Sequence, residues 1–296
     1  MSNTVNLFSP QWEDYELMDT GGFEKLERFG KYLLVRPEPQ AIWPKSLPPE
    51  EWGKAAAVFR RENGSPGDGE RGEWKLGAGM AQQWQINYRY GNMQLRFRLG
   101  LTTFKHVGIF PEQAVNWNYI YDTVCRCSEA CPQTLNLFAY TGGASLAARA
   151  AGAEVVHVDA VRQVINWGRE NMEASRLSGI RWVVEDALKY VGREVRRGRR
   201  YHGIILDPPA YGRGPAGEKW ILEEGINELM AQCRQLLVPQ QSFIVLNLYS
   251  MGFSPRVAEN LVEAYFPAIK GECGELSVCD RAGRRLPLGV FMRGTL

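Results

Sequence analysis

Three short apolar runs, each ending on an aspartate, constrain this chain more than any other feature. They are Val155-Val156-His157-Val158-Asp159, Trp182-Val183-Val184-Glu185-Asp186 and Gly203-Ile204-Ile205-Leu206-Asp207, the last followed by Pro208 and Pro209. Runs of this length, separated by helix-patterned segments, mark strands buried on both faces of a parallel sheet. Carboxylates at the carboxyl ends of such strands lie where open α/β sheets receive ligands. With the turn Tyr140-Thr141-Gly142-Gly143 ahead of them, four strand ends describe one elongated ligand cleft.

The chain has 296 residues, 45% of them hydrophobic, enough for one large domain or for a small domain beside a medium one. Its first hundred residues are rich in Trp, Pro and Gly. Short runs there, such as Tyr32-Leu33-Leu34-Val35-Arg36 and Met93-Gln94-Leu95-Arg96-Phe97-Arg98, predict a small β-rich domain. Residues 62–72 have almost nothing to bury and predict a loop. The pattern then changes to alternating helices and strands, so the boundary is placed near residues 103–105, giving a β-rich domain over 1–104 and a second domain over 105–296. Helices are expected over 112–129, 144–151, 161–177, 188–197, 218–237 and 256–265, with strands over 134–138 and 242–248. Two terminal strands, over 274–280 and 286–292, are joined by so short a turn that they must be antiparallel. The expected fold class is α/β: a mostly parallel sheet closed by an antiparallel carboxyl-terminal hairpin, with a small amino-terminal β-rich domain.

A net charge of +2 excludes global basicity as a source of polyanion affinity, which must come from local patches. The amino terminus lacks a basic stretch followed by an apolar core, and no apolar run approaches the roughly 20 residues needed to span a bilayer. A cytoplasmic protein without a membrane partner is expected. Six cysteines then read as reduced thiols. Cys125, Cys127 and Cys131 are poorly spaced for zinc, and His106, His157 and His202 are scattered, so no metal is expected. Their helical setting predicts small core residues instead.

The glycine turn places small residues where backbone passes close to a ligand and then starts a helix. Asp159, about 20 residues on, is placed to accept both hydroxyls of a ribose. Nicotinamide enzymes and adenosyl-methionine enzymes share both features. Asp186 and the Asp207-Pro208-Pro209 turn distinguish them: an acid ending the third strand can receive an adenine amine, and the two prolines make a stiff turn whose carbonyls can point at a bound amine. Tyr211, just beyond, could stack on a flat ring.

From Lys105 onward, about two-thirds of the chain, these motifs resemble the class I S-adenosylmethionine-dependent methyltransferases, in the bacterial branch related to the large-subunit (23S) ribosomal RNA methyltransferases. The matching residues are Gly108, Phe110, Glu112 and Gln113; Phe138, Tyr140, Thr141 and Gly142; Asp159; Asp186; and Asp207 to Tyr211. The resemblance implies a Rossmann-like methyltransferase sheet and S-adenosyl-L-methionine as cofactor. It further implies that Asp159 holds the ribose, Asp186 the adenine amine and the Tyr140–Gly142 turn the methionine moiety. Phe110, Glu112, Gln113 and Phe138 belong to the same implied cofactor set, Glu112 and Gln113 covering it from the amino-terminal side. Asp207, Pro208, Pro209 and Tyr211 form the implied catalytic set, with Asp207 also near the cofactor. The chain departs from the branch at Ala114 and Trp117, where relatives carry arginines. It departs again at Leu248-Tyr249-Ser250-Met251-Gly252, where the cytosine carbon-5 enzymes carry a nucleophilic cysteine. Without that thiol, covalent carbon methylation is not expected; direct in-line transfer to a nitrogen or oxygen that already has a lone pair is, with a base nitrogen the leading expectation.

For the substrate, Arg193, Arg196, Arg197, Arg199 and Arg200 form the most basic run, and Arg213 follows the Asp-Pro-Pro turn. Such arginines suit phosphates and unstacked bases, though cations at a helix end also favour the helix dipole. With the resemblance, they point to RNA, specifically ribosomal RNA. The alternatives are a methyltransferase acting on a protein side chain or small molecule, a nicotinamide-dependent oxidoreductase, and a non-catalytic RNA-binding protein.

Overall fold

Short strands dominate the amino-terminal third of the computed structural model, whose described residues are 3–61, 71–249 and 252–296. After an edge strand β1 (Asn3–Phe8) come β2 (Tyr15–Gly21), β3 (Glu24–Phe29), β4 (Tyr32–Pro37), the single turn α1 (Pro49–Trp52), β5 (Ala57–Arg61) and β6 (Gly72–Leu76). Strands β2 to β6 form a five-stranded sheet, and β7 (Gln83–Tyr90) pairs antiparallel with β8 (Met93–Gly100) as a separate ribbon. Residues 62–70, most of the expected loop, lie outside the described residues.

The second part alternates as expected: α2 (Ala114–Arg126), β9 (Gln133–Leu137), α3 (Gly143–Ala150), β10 (Glu154–Asp159), α4 (Arg162–Ala174), β11 (Ile180–Val184), α5 (Ala187–Arg196) and β12 (Gly203–Leu206). There follow β13 (Tyr211–Arg213), β14 (Lys219–Ile221), α6 (Leu222–Leu236), β15 (Phe243–Leu248), α7 (Pro255–Tyr265), β16 (Lys270–Cys279) and β17 (Arg285–Thr295). The large sheet has the order β1-β16-β17-β15-β12-β9-β10-β11. Strands β11, β10, β9, β12 and β15 are mutually parallel, and β17 runs antiparallel to β15. The expected mostly parallel sheet with an antiparallel terminal hairpin is therefore present. Its strand order reverses direction between β9 and β12, the position at which open α/β sheets open a ligand crevice. Leu135, Leu137, Val158, Ile204, Leu206 and Ile244 face one side of this sheet, in the same buried cluster as Tyr190 of α5 and Leu229 of α6.

Two local expectations are corrected. The segment expected as a helix from residue 218 begins instead with β14, which pairs with Tyr211–Arg213 of β13, and the helix starts at Leu222. Trp220 decides this: it is buried, and its indole Nε1 donates to the Pro209 carbonyl at 2.7 Å, a contact that the strand supplies. The helix expected to run to residue 129 ends at Arg126, where Cys127 turns extended (φ −66°, ψ 132°). Cys125 and Cys131 are exposed and Cys127 half-buried, so the three thiols are surface groups rather than core.

By compactness the chain groups into two units that do not follow one cut in the sequence. One holds Gln113–Leu276, Leu288–Leu296 and the residues up to Leu7; the other holds Phe8–Glu112 together with Ser277–Pro287.

Candidate active site

The registers of β9, β10, β11 and β12 align their carboxyl ends. Leu137 pairs with Val158 on one side and Leu206 on the other, and Asp159 pairs with Val184. Phe138, Asp159 and Asp207 therefore leave the sheet at one level, with Asp159 and Asp207 on strands two spacings, roughly 10 Å, apart. Asp186 follows β11 by two residues.

The turn between β9 and α3 has a demanding backbone. Phe138 (φ 55°) and Tyr140 (φ 49°) are left-handed, as is Gly142 (φ 95°) at the start of α3. For bulky side chains this conformation costs roughly 1–2 kcal/mol each. It persists because every neighbour holds it: Ala139 N–H donates to the Val158 carbonyl at 3.1 Å, and Tyr140 N–H to Asp159 Oδ2 at 2.9 Å. Asn171 Nδ2 donates to the Thr141 carbonyl at 3.0 Å. The Phe138 ring lies 4.9 Å from that of Trp220, whose Nε1 holds the Pro209 carbonyl. One indole thus braces both the glycine turn and the Asp-Pro-Pro turn. Strained backbone concentrated at a ligand cleft is the ordinary place for strain to serve function.

Beneath the turn runs a buried polar row that the sequence reading missed. Asn136 and His157 are cross-strand partners. Asn136 Nδ2 donates to Ser145 Oγ at 2.8 Å, and Ser145 Oγ shares a hydrogen bond with His157 Nδ1 at 2.9 Å. Burial pushes the His157 pKa down to about 3, against a backbone hydrogen bond with Tyr140. The available signal was a polar residue two positions before each strand-end residue, Asn136 before Phe138 and His157 before Asp159.

Each predicted acid has a place. Asp159 is fixed by two backbone amides, Tyr140 on Oδ2 and Val161 on Oδ1, both at 2.9 Å. Burial raises its pKa, and the amides of Val161, Tyr140 and Ala160 pull it back. Asp186 is the N-cap of α5: its Oδ1 accepts Lys189 N–H at 3.0 Å. Asp207 donates its N–H to the Leu137 carbonyl at 3.4 Å, Pro208 is buried, and Tyr211 is 52% exposed. Phe138, Tyr140, Thr141, Gly142, Asp159, Asp186, Asp207, Pro208, Pro209 and Tyr211 thus all lie at or beyond the carboxyl ends of β9 to β12.

Gln113, buried in the turn Pro111–Gln113, accepts from Asn116 Nδ2 at 3.2 Å. Asn116 also donates to Asn247 Oδ1 and accepts from Arg293 Nη1, so this arginine of β17 anchors the start of α2. Phe110 and Glu112 belong to the other compact unit, where Glu112 is buried and the Phe110 ring lies 4.9 Å from His106.

Two arginines of the predicted basic run are held by nearby acids. Arg193 pairs with Glu185 and Arg197 with Glu194, each at 3.0 Å. Arg196 lines a cleft between α5 and α6 that also contains Glu185 and Glu228, while Arg199, Arg200 and Arg213 are exposed. Among the described residues, no group of three or more His, Cys, Asp or Glu is arranged to hold a metal ion, and no helix is long and apolar enough to cross a membrane.

The family model for S-adenosylmethionine-dependent methyltransferases matches residues 68–264. A solved structure, a SAM-dependent methyltransferase from Agrobacterium tumefaciens, is 35% identical and superposes with a TM-score of 0.90 over 99% of this chain and 95% of its own. The ribosomal RNA large subunit methyltransferase K/L of Shewanella frigidimarina is 30% identical over 166 residues, 55% of this chain and 22% of its own length. The ribosomal RNA large subunit methyltransferase I of Escherichia coli is 30% identical over 105 residues, 34% of this chain and 24% of its own. The chain therefore spans less than a quarter of the length of these two curated relatives.

Proposed function

The chain belongs to the S-adenosylmethionine-dependent methyltransferase family, and from that premise we propose that it methylates a base nitrogen of RNA, in ribosomal RNA, by direct in-line transfer. The observation that carries this reading is the stiff Asp207-Pro208-Pro209 turn beside Tyr211, following β12 at the point where the strand order reverses. Relatives named for large-subunit ribosomal RNA support the substrate. S-adenosylmethionine supplies an electrophilic methyl group on a sulfonium. The donor set fits it: Asp159 and Asp186 are acceptors for a ribose diol and an adenine amine, and the left-handed Phe138–Gly142 turn offers close backbone to the methionine moiety. Phe110, Glu112 and Gln113 complete the proposed cofactor set.

In this reading Asp207 and the Pro208 carbonyl accept the hydrogens of the acceptor nitrogen and aim its lone pair at the cofactor, while Tyr211 stacks on the base. Positioning of this kind can supply on the order of 7–11 kcal/mol. No cysteine lies at 248–252, so no covalent base adduct is invoked. The division of the chain into domains over 1–104 and 105–296, RNA contacts by Arg193, Arg196, Arg197, Arg199, Arg200 and Arg213, and a cytoplasmic location belong to the same proposal.

The test is single-turnover methylation of total RNA from cells lacking the gene, with cofactor titration alongside. Asp207→Ala is expected to abolish transfer to RNA and to keep cofactor affinity within a few-fold, because an interaction realised in the transition state lowers turnover rather than binding. Label entering protein or small molecules instead of RNA would overturn the substrate. Parallel loss of cofactor binding and turnover would overturn the role of Asp207.

A further inference from the structure

The short hairpin of β13 and β14 follows directly on the Asp207-Pro208-Pro209 turn, and its register sorts its side chains. Tyr211 lies opposite Ile221, Gly212 opposite Trp220 and Arg213 opposite Lys219. Residues two apart on a strand share a face, as do residues directly opposite on its neighbour. Trp220 is buried, and Gly212 passes so close to Pro209 that a Cβ on it would lie 3.6 Å from Pro209 Cγ. That face therefore packs down on the Asp-Pro-Pro turn, where Trp220 Nε1 also holds the Pro209 carbonyl. The other face carries Tyr211, Arg213 and Lys219, all of them exposed.

Arg213 and Lys219 are like charges directly opposite each other, an arrangement that destabilises an antiparallel pair. A lone cation on a surface is ordinary; two cations held side by side by strand register are not. The cross-strand pair Lys25–Arg36 of β3 and β4 shows how this chain neutralises such a juxtaposition, since Lys25 meets Glu38 at 3.1 Å and Arg36 meets Glu27 at 2.7 Å. Arg213 and Lys219 have no acid or hydrogen-bond partner among the described residues. The nearest acid in sequence, Glu218, is committed elsewhere: its Oε2 accepts the Ala216 N–H at 2.9 Å and its Oε1 is paired with Lys189 of α5. An anion placed between the two cations relieves their repulsion and takes charge-assisted hydrogen bonds from both. Tyr211 stands two residues along the same strand, about 7 Å away, a separation that one nucleotide spans from base to phosphate.

We propose that Arg213 and Lys219 close together on one backbone phosphate of the RNA, that of the nucleotide whose base lies on Tyr211. This rests on the RNA reading given above and adds to it Lys219 and a defined phosphate site. Phosphate contacts position a nucleic acid and do not read its bases. The clamp therefore sets the register of the RNA strand on the Asp-Pro-Pro turn, on which the hairpin is seated.

The test uses the full chain and in vitro transcribed large-subunit ribosomal RNA, with affinity measured across a salt series and melting temperature measured without RNA. Lys219→Gln is expected to weaken binding roughly tenfold at about 0.1 M salt and to lower the log–log salt slope by roughly 0.7–0.9, the share of one phosphate. Its melting temperature should equal or exceed that of wild type, because a repulsion is removed; a residue with a merely structural role would lower it. Lys219→Glu, which sets an acid opposite Arg213, is expected to melt higher still and to bind RNA more weakly than Lys219→Gln. Arg213→Gln with Lys219→Gln should lose less than the sum of the two single losses, since both side chains act on one phosphate. If wild type binds RNA and Lys219→Gln matches it in affinity and slope, the clamp is wrong and the RNA reading stands. Loss of binding and of melting temperature together in Lys219→Gln also overturns the clamp. If wild type does not bind RNA and methylates a protein fraction instead, both fail.

Discussion

At Asp186 one carboxylate oxygen is already committed, since Oδ1 caps α5 through Lys189 N–H. Asparagine caps a helix about as well as aspartate, whereas alanine costs about 1 kcal/mol. Asp186→Asn is therefore expected to keep the melting temperature of the free protein yet bind cofactor roughly ten- to a hundredfold more weakly, because its amide would face the adenine amine donor to donor. Asp186→Ala should lose both. Melting curves and calorimetry with S-adenosylhomocysteine separate the two effects, and an Asn variant with wild-type affinity would remove Asp186 from the adenine site. The strand-end acids were legible in the sequence because a carboxylate closing an apolar run has few bland explanations. The contacts that hold them were not legible: the Tyr140 and Val161 amides that hold Asp159 depend on a backbone path through left-handed residues that spacing does not reveal.

Among the elements, β9 and β10 share a titratable support for the glycine turn. His157 in the folded chain has a pKa of about 3, below the ordinary value near 6.5, so the unfolded chain takes up the proton first. Its contribution to stability is complete above about pH 6.5 and is lost as pH falls toward 3, at roughly 1.4 kcal/mol per pH unit. Between pH 7 and pH 5 this amounts to about 2 kcal/mol. His157→Gln should remove that part of the acid loss, as read by urea unfolding at the two pH values; an unchanged acid loss would mean that His157 is not the group responsible. The parallel strands and the terminal hairpin were readable from apolar runs and turn lengths. The β13–β14 hairpin was not, because Leu222, Ile226 and Leu229 satisfy helical spacing and the three-residue strand ahead of them is too short to show an alternation of its own; the hydrogen bond from Trp220 to Pro209 accompanies the strand.

For the whole molecule, the interleaving of the two units has a measurable result. The hairpin tip is tied to the early strands: Thr20 Oγ1 donates to Asp280 Oδ2 at 2.7 Å, Arg284 Nη2 to Asp19 Oδ1 at 2.6 Å, and Arg281 pairs with Glu16. A fragment of residues 105–296 loses these partners and also β1, which borders β16 at the edge of the large sheet. Exposed sheet edges template aggregation. The fragment is expected to be poorly soluble and to melt well below the full chain, whereas a soluble fragment with full cofactor affinity would show that a linear division at 104/105 suffices. Period-two runs and composition could identify a β-rich first third, but nothing in local sequence shows that residues 277–287 fold with it. The pairing of β1 with β16 also bears on synthesis. Strand β1 leaves the ribosome with its partner about 265 residues behind it, roughly 15–50 s at ordinary elongation rates. Throughout that interval β1 has no neighbour to pair with, so this edge of the large sheet is closed only once β16 has emerged.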